Sequence, residues 1–282
     1  MTAISYGPLP AHGFDYYPPP GPSPHRPLLV FVHGGAWRSG DKADHAALAR
    51  TLASLTACAV AVPNYQLTSQ AHPLQHPSHA EDVLRCLHFL TTWAGPDPSS
   101  PQPPPSALYL LGHSCSAHML ASIFLRSPYA AELTPSRQLL AATRAVLLSE
   151  GIYDIDALLR SFPNYKPWFI APTFGDHDAY PEADAASYPL RTGAEHVRWL
   201  IMHSKGDQLV DELQSATMYA HLSAMTEGLP AGPRPLVEKN FHELEENHDD
   251  IFQGEVYPRI IADFVKRHQE DKSTSPGPAT AT

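Results

Sequence analysis

Cysteine is scarce in this chain. Cys58, Cys86 and Cys115 are all that 282 residues contain, too few for a disulfide framework, so a reducing, cytoplasmic setting is expected. Clustered Lys and Arg are missing as well. With a formal net charge of -10, the chain offers nucleic acid no basic patch. No apolar run approaches membrane-spanning length, and the N-terminus lacks the basic and apolar stretches of a signal peptide, so no membrane partner is expected. Paired metal-ligand spacings are absent too. The 17 histidines are scattered without an H-E-x-x-H or Cys/His pair, and Gly175-Asp176-His177-Asp178 reads as a polar loop. No metal site is expected. Oligomeric state is left open, a homodimer included.

What the chain does have is alternation. Pro27 to Val32, Cys58 to Val62, Ala107 to Leu111, Ala145 to Leu148 and Val197 to His203 are short apolar runs, as strands buried on both faces of a parallel sheet are. A weaker strand is expected at Phe14 to Tyr17, and a last one at Pro235 to Glu238. Between them, helices are expected over Ala43 to Leu55, behind a Ser78/Glu81 capping box, and along a face formed by Leu209, Leu213, Ala216 and Ala220. A C-terminal helix is expected through Val256, Ile260, Ile261 and Phe264. The pattern predicts an α/β fold: a mostly parallel sheet with helices on both faces, forming a single domain over 1–270. Residues 271–282 lack apolar bulk and read as a disordered tail. From Gly151 to Arg191 no period holds, yet aromatics abound, so this stretch reads as a cap or lid inserted in the domain.

Ligands of such sheets sit beyond the carboxyl ends of the strands. Gly34-Gly35, Ser114, Gly151 and Asp207 all fall at such ends. The stretch Gly112-His113-Ser114-Cys115-Ser116, between an apolar run and a helical pattern, has the layout of a nucleophile elbow, although Ser116 stands where G-x-S-x-G ends in glycine. A serine hydroxyl attacks only when a base takes its proton and an acid orients that base. After Ser114 the chain supplies Asp207, just past a strand, and then His248, in a loop before the last helix. Asp211, Glu150 and Asp154 compete for the acid, and His242 for the base. His33-Gly34-Gly35 follows the first strong strand, and glycines there can turn backbone N–H groups towards a developing oxyanion. The expected donors are the amides of Gly34, Gly35 and Cys115, with the Cys115 thiol a small packing group.

Together, His33-Gly34-Gly35-Ala36-Trp37, the segment His76 to Val83, Gly112-His113-Ser114-Cys115, Glu150-Gly151-Ile152-Tyr153-Asp154 and the late Asp207/His248 pair resemble the kynurenine formamidases (arylformamidases), in their fungal form, over about Leu28 to Phe264. That resemblance implies the α/β-hydrolase fold and no cofactor. It also implies hydrolysis of one small-molecule substrate, N-formyl-L-kynurenine, to L-kynurenine and formate, a step of tryptophan degradation on the way to NAD. By position it makes Ser114 the nucleophile, Asp207 the acid and His248 the base, with Gly34, Gly35 and Cys115 as oxyanion donors. An aryl leaving group needs a flat apolar wall, for which Trp37, Tyr153, Phe162 and Trp168 are the candidates. A general carboxylesterase would share every catalytic residue. A non-catalytic binding protein on the same fold would be expected to have lost part of the Ser/Asp/His set, which here is intact.

Overall fold

The computed structural model describes residues 3–21, 27–129 and 131–270, so the tail expected to be disordered lies outside the described residues. Eight strands are found among them: β1 (Ala3–Ser5), β2 (Gly13–Tyr17), β3 (Leu28–Val32), β4 (Ala59–Pro63), β5 (Leu108–His113), β6 (Thr143–Ser149), β7 (Arg198–Met202) and β8 (Val237–Asn240). They form one sheet in the order β1-β2-β4-β3-β5-β6-β7-β8. β2 runs antiparallel to β1 and β4, and every pairing from β4 to β8 is parallel. This mixed but mostly parallel sheet, with β5 at its centre, is the α/β-hydrolase fold.

Helices cover both faces: α1 (Ala46–Thr56), α2 (Ser78–Leu90), α3 (Cys115–Phe124), α4 (Arg137–Ala142), α5 (Ile155–Ser161), α6 (Ala171–Phe174), α7 (Glu212–Thr226) and α8 (Val256–Glu270). Because successive strand residues point to opposite faces, each apolar strand feeds two cores. Leu29 and Phe31 of β3, Leu111 of β5 and Leu147 of β6 pack with Leu48 and Leu52 of α1 and Ile261 and Phe264 of α8. Val30, Leu110, Val146 and Leu148 point the other way, against Val83 and Leu87 of α2 and Met119 and Ile123 of α3. Burying both faces is what makes the strand sequences continuously apolar.

Two local expectations need correction. Ser78 does not cap α2: it is the first helical residue, Pro77 occupies the cap, and no side chain bonds the free amides there. A capping box forms instead at Asp41, whose side chain accepts from Ala43 N–H while Asp44 accepts from Asp41 N–H. In α7 the expected apolar face points to water, with Leu209 ahead of the helix 40% exposed and Leu213 58% exposed, while Gln214, Ser215, Met218 and Leu222 are buried. Hydrogen bonding decides the rotation. The Gln214 side chain accepts from the amides of Tyr153 and Asp154 and donates to the Asp154 carbonyl, and Ser215 pairs with His203. The aperiodic stretch after β6 consists of α5, a π-helical turn at Lys166–Ile170, α6 and two short 3-10 turns.

Candidate active site

Ser114 sits between the end of β5 and the start of α3 with φ 56 and ψ -121, a conformation that side chains rarely adopt. Holding a non-glycine residue there costs on the order of 1–3 kcal/mol, so its neighbours must enforce it. They do so through backbone bonds: Ser114 N–H donates to Ser149 O at 2.9 Å, and Ser114 O accepts from Ala117 N–H at 3.1 Å. Gly112 has to be glycine, since a Cβ there would lie 2.8 Å from Ser116 O and 2.9 Å from Ala117 N. Ser116, where the elbow pattern has glycine, fits without displacing the turn. Its hydroxyl accepts from His113 N–H at 2.8 Å and approaches Val32 O at 2.6 Å, tying the ends of β5 and β3 together.

Asp207 and His248 arrive on the loops after β7 and β8. His248 Nδ1 lies 2.7 Å from Asp207 Oδ2, and both side chains are almost wholly buried. The other Asp207 oxygen accepts from Leu209 and Val210 N–H at 2.8 and 3.0 Å. Burial alone would raise the Asp207 carboxyl, but its hydrogen bond to His248, followed by further bonds from Glu150 and Val210, carries it down to about 2. The His113 ring packs 4.5 Å from that of His248, and His113 Nε2 lies 3.1 Å from His248 O, which braces the base loop on the elbow.

The rivals separate cleanly. The His242 side chain is 74% exposed beside Glu243. Asp154 caps α5 by accepting from Ala157 N–H, and Asp211 occupies the N-cap of α7. Glu150 is different: it lies against Asp207, a proximity that its place after β6 hints at but does not fix.

The loop His33 to Trp37 packs against the elbow. A Cβ on Gly34 would meet His113 Nδ1 at 2.9 Å and Ser114 Cβ at 3.1 Å; one on Gly35, at φ 107, would meet Ser39 O at 2.1 Å. Tyr65, which nothing in the sequence marks as part of the site, places its hydroxyl 3.0 Å from His33 O and 3.1 Å from Gly34 O. The Cys115 thiol is fully buried, accepts from Trp37 N–H at 3.3 Å and is pushed up by burial to about 11, so it stays protonated.

Ser114, His248, Gly34 and Gly35 all line one cleft of about 1000 Å³. Tyr165, Trp168 and Phe169 of the cap line it together with Leu209 and Val210, and so do Leu48, Thr51 and Leu55 of α1 and Phe252, Gln253, Gly254, Glu255 and Pro258. Arg38 donates to the Trp168 carbonyl and Tyr165 OH to Leu209 O, fastening the cap wall at both ends. Of the four aromatics expected to face substrate, only Trp168 lines this cleft. Phe162 stacks behind Tyr165 at 4.9 Å, while Trp37 and Tyr153 are fully buried in the core, Trp37 packed among His118, Phe169 and Phe174. Among the described residues, two groups of ligand-type atoms come within 4.8 Å of one another, His113/His248/Asp249 and Glu150/Asp207/His248, and both are drawn from this site. No helix among the described residues is long and apolar enough to cross a membrane.

The chain is similar to several known proteins. The BD-FAE family matches residues 14–222. The kynurenine formamidase of Eremothecium gossypii is 28% identical over 213 residues, covering 70% of this chain and 79% of that protein. The kynurenine formamidase of Meyerozyma guilliermondii is 26% identical over 242 residues, covering 84% and 83%. Among solved structures, an inhibited esterase B from Lactobacillus rhamnosis superposes with a TM-score of 0.72 at 16% identity over 98% of this chain and 89% of that one, a likeness of fold.

Proposed function

We propose that this chain, which belongs to the BD-FAE family of α/β-hydrolases, is a serine hydrolase that cleaves the formamide of N-formyl-L-kynurenine. The observation that carries the reading is a strained serine and a buried Asp207–His248 pair opening on one cleft with an aromatic wall. In this scheme His248 takes the Ser114 proton as the hydroxyl oxygen attacks the formyl carbon. The oxyanion that develops is received by the amides of Gly34, Gly35 and Cys115. His248 then returns the proton to the departing arylamine nitrogen, leaving a formyl ester on Ser114. Water, deprotonated by His248, attacks that ester, and His248 passes the proton to the Ser114 oxygen as the acyl bond breaks and formate leaves. Asp207, held as an anion, orients the imidazole and balances its charge at each transfer. Tyr165, Trp168 and Phe169 offer the leaving aryl group a flat apolar surface.

A second reading, a carboxylesterase, is favoured by one feature. The cleft continues past Ser114 along Leu48, Thr51 and Leu55, giving more acyl space than a formyl group needs. The test has two parts. Ser114→Ala is expected to lower turnover by about four to six orders of magnitude while leaving the thermal midpoint close to wild type; retained turnover refutes the mechanism. The ratio of kcat/KM for N-formylkynurenine to that for p-nitrophenyl butyrate chooses the substrate. A ratio well above one supports the formamidase, and a ratio well below one makes the protein an esterase.

A further inference from the structure

We propose that Glu150 is a positioning residue for the Asp207–His248 pair: its carboxyl hydrogen-bonds Asp207 and holds that carboxylate against the imidazole. The inference rests on the reading of Ser114, Asp207 and His248 given above.

Glu150 is the first residue after β6, wholly buried, with φ 51. Its backbone is fixed by donation from its N–H to Met202 O at 3.1 Å, which ties the end of β6 to the end of β7. Its two carboxyl oxygens lie 3.0 and 3.1 Å from Ser204 N, so one amide serves both. His203 Nδ1 is 3.5 Å away and also faces Ser215 Oγ at 3.0 Å. The remaining neighbour is the Asp207 carboxyl: ligand-type atoms of Glu150, Asp207 and His248 all lie within 4.8 Å of one another.

Two carboxyl groups joined by a hydrogen bond need one proton between them, because a carboxylate can only accept. The surroundings decide which acid keeps it. Asp207 has His248 and two backbone amides on its oxygens, and is held down at about 2. Glu150 is pushed well above the usual carboxylate range by burial first and by the Asp207 bond next. The other titratable groups around it, Glu246, His203, Tyr153 and Tyr257, do not reverse this. Glu246 adds negative charge, burial holds His203 towards its neutral form, and burial raises both tyrosines. Glu150 is therefore the neutral donor and Asp207 the anion. With one oxygen held by the Leu209 and Val210 amides, the other at Nδ1 of His248, and Glu150 packed beside both partners, the Asp207 carboxylate has no freedom to rotate away from the imidazole. Burying an acid beside another acid works against stability. That such an arrangement stands behind the base marks it as a feature of the site.

The experiment compares Glu150→Leu with Glu150→Gln in the full chain. A glutamine reproduces the neutral acid: its amide N–H donates to Asp207 and its oxygen accepts from Ser204 N–H. Glu150→Leu is expected to lose kcat by about 10- to 100-fold with KM changed less than about threefold, and Glu150→Gln to recover most of that loss. A second readout is independent of activity. Above the ordinary glutamate value of 4.5, the wild-type fold must hold a proton that the unfolded chain releases, so its stability falls as pH rises; a glutamine carries no such penalty. The thermal midpoint of Glu150→Gln is thus expected to rise relative to wild type between about pH 5 and pH 8. A difference that stays flat over that range overturns the proposal. So does a glutamine variant as slow as the leucine one, or a leucine variant with full kcat. If Glu150→Leu does not fold, the rate and the pH-dependent midpoint of Glu150→Gln decide. Labelling of wild-type Ser114 by a fluorophosphonate separates the two readings: without labelling, the serine mechanism fails, while the thermal measurement still judges Glu150.

Discussion

Writing the elbow's absent glycine back into the chain, as Ser116→Gly, is expected to weaken the protein although it completes G-x-S-x-G. The Ser116 side chain is fully buried and spans two strand ends, accepting from His113 N–H and approaching Val32 O. Removing the hydroxyl strips the His113 amide of that acceptor and the Val32 carbonyl of that donor. A buried group left unpaired costs about 1–3 kcal/mol, and glycine in place of a side chain within α3 adds about 0.5–1 kcal/mol. Partial relaxation and overlap between the two lost bonds bring the expected total to about 3 kcal/mol. For a domain of this size that is a fall of about 6–12 °C in thermal midpoint. Differential scanning calorimetry of Ser116→Gly beside Ser116→Ala separates the hydroxyl from the backbone. Alanine is expected to account for most of the loss, because it removes the same bonds without the glycine entropy. A Ser116→Gly protein as stable as wild type would refute the claim that the hydroxyl binds β3 to β5.

Asp207→Asn tests the charge at the site from the stability side. The Asp207 carboxyl is depressed in the fold from its ordinary 3.8 to about 2, so its contribution is complete above pH 4 and disappears as pH falls towards 2. Urea titrations are expected to show wild type losing about 2 kcal/mol across that window and Asp207→Asn lacking that loss; parallel curves for the two proteins contradict the assignment. Trp168 and Trp37 are expected to part ways. Trp168→Ala, on a 49% exposed cleft residue, is expected to raise KM for aryl substrates several-fold with a midpoint near wild type. Trp37→Ala empties a core position at a cost of about 3–5 kcal/mol, read by the same urea titration. Equal effects of the two on KM would show that the cleft wall is wrongly drawn.

Much of this was legible in the residues because it rests on local chemistry. Continuous apolar runs mark the strands, since β3 to β7 are buried on both faces, and the order Ser114, Asp207, His248 follows from loops at the carboxyl edge. Two of the features not legible there rest on hydrogen bonding between residues far apart in the chain. The face of α7 was misread because Gln214, a polar residue, is anchored to Tyr153 and Asp154 sixty positions away. Tyr65 clamps the glycine loop through two carbonyls, and neither its spacing nor its neighbours announce this. Trp37 is a candidate for the aryl wall by its aromatic ring alone, and the sequence does not show which way that ring turns. The positive φ of Ala36 and Trp37 turns the chain there, and the indole lies against Phe169 and Phe174. β1 has three residues and gave no periodic signal to read.

The base reaches the elbow from the far end of the chain, and this bears on how the protein comes into being. His248 follows β8, and its loop leads into α8, which closes the sheet face that α1 began some two hundred residues earlier. A chain emerging from the ribosome carries Ser114 and Asp207 before it carries His248. Until the last strand docks on β7, that serine has no partner to take its proton. Under the proposed mechanism, hydrolysis therefore waits until β8 and the loop that carries His248 have been made and docked.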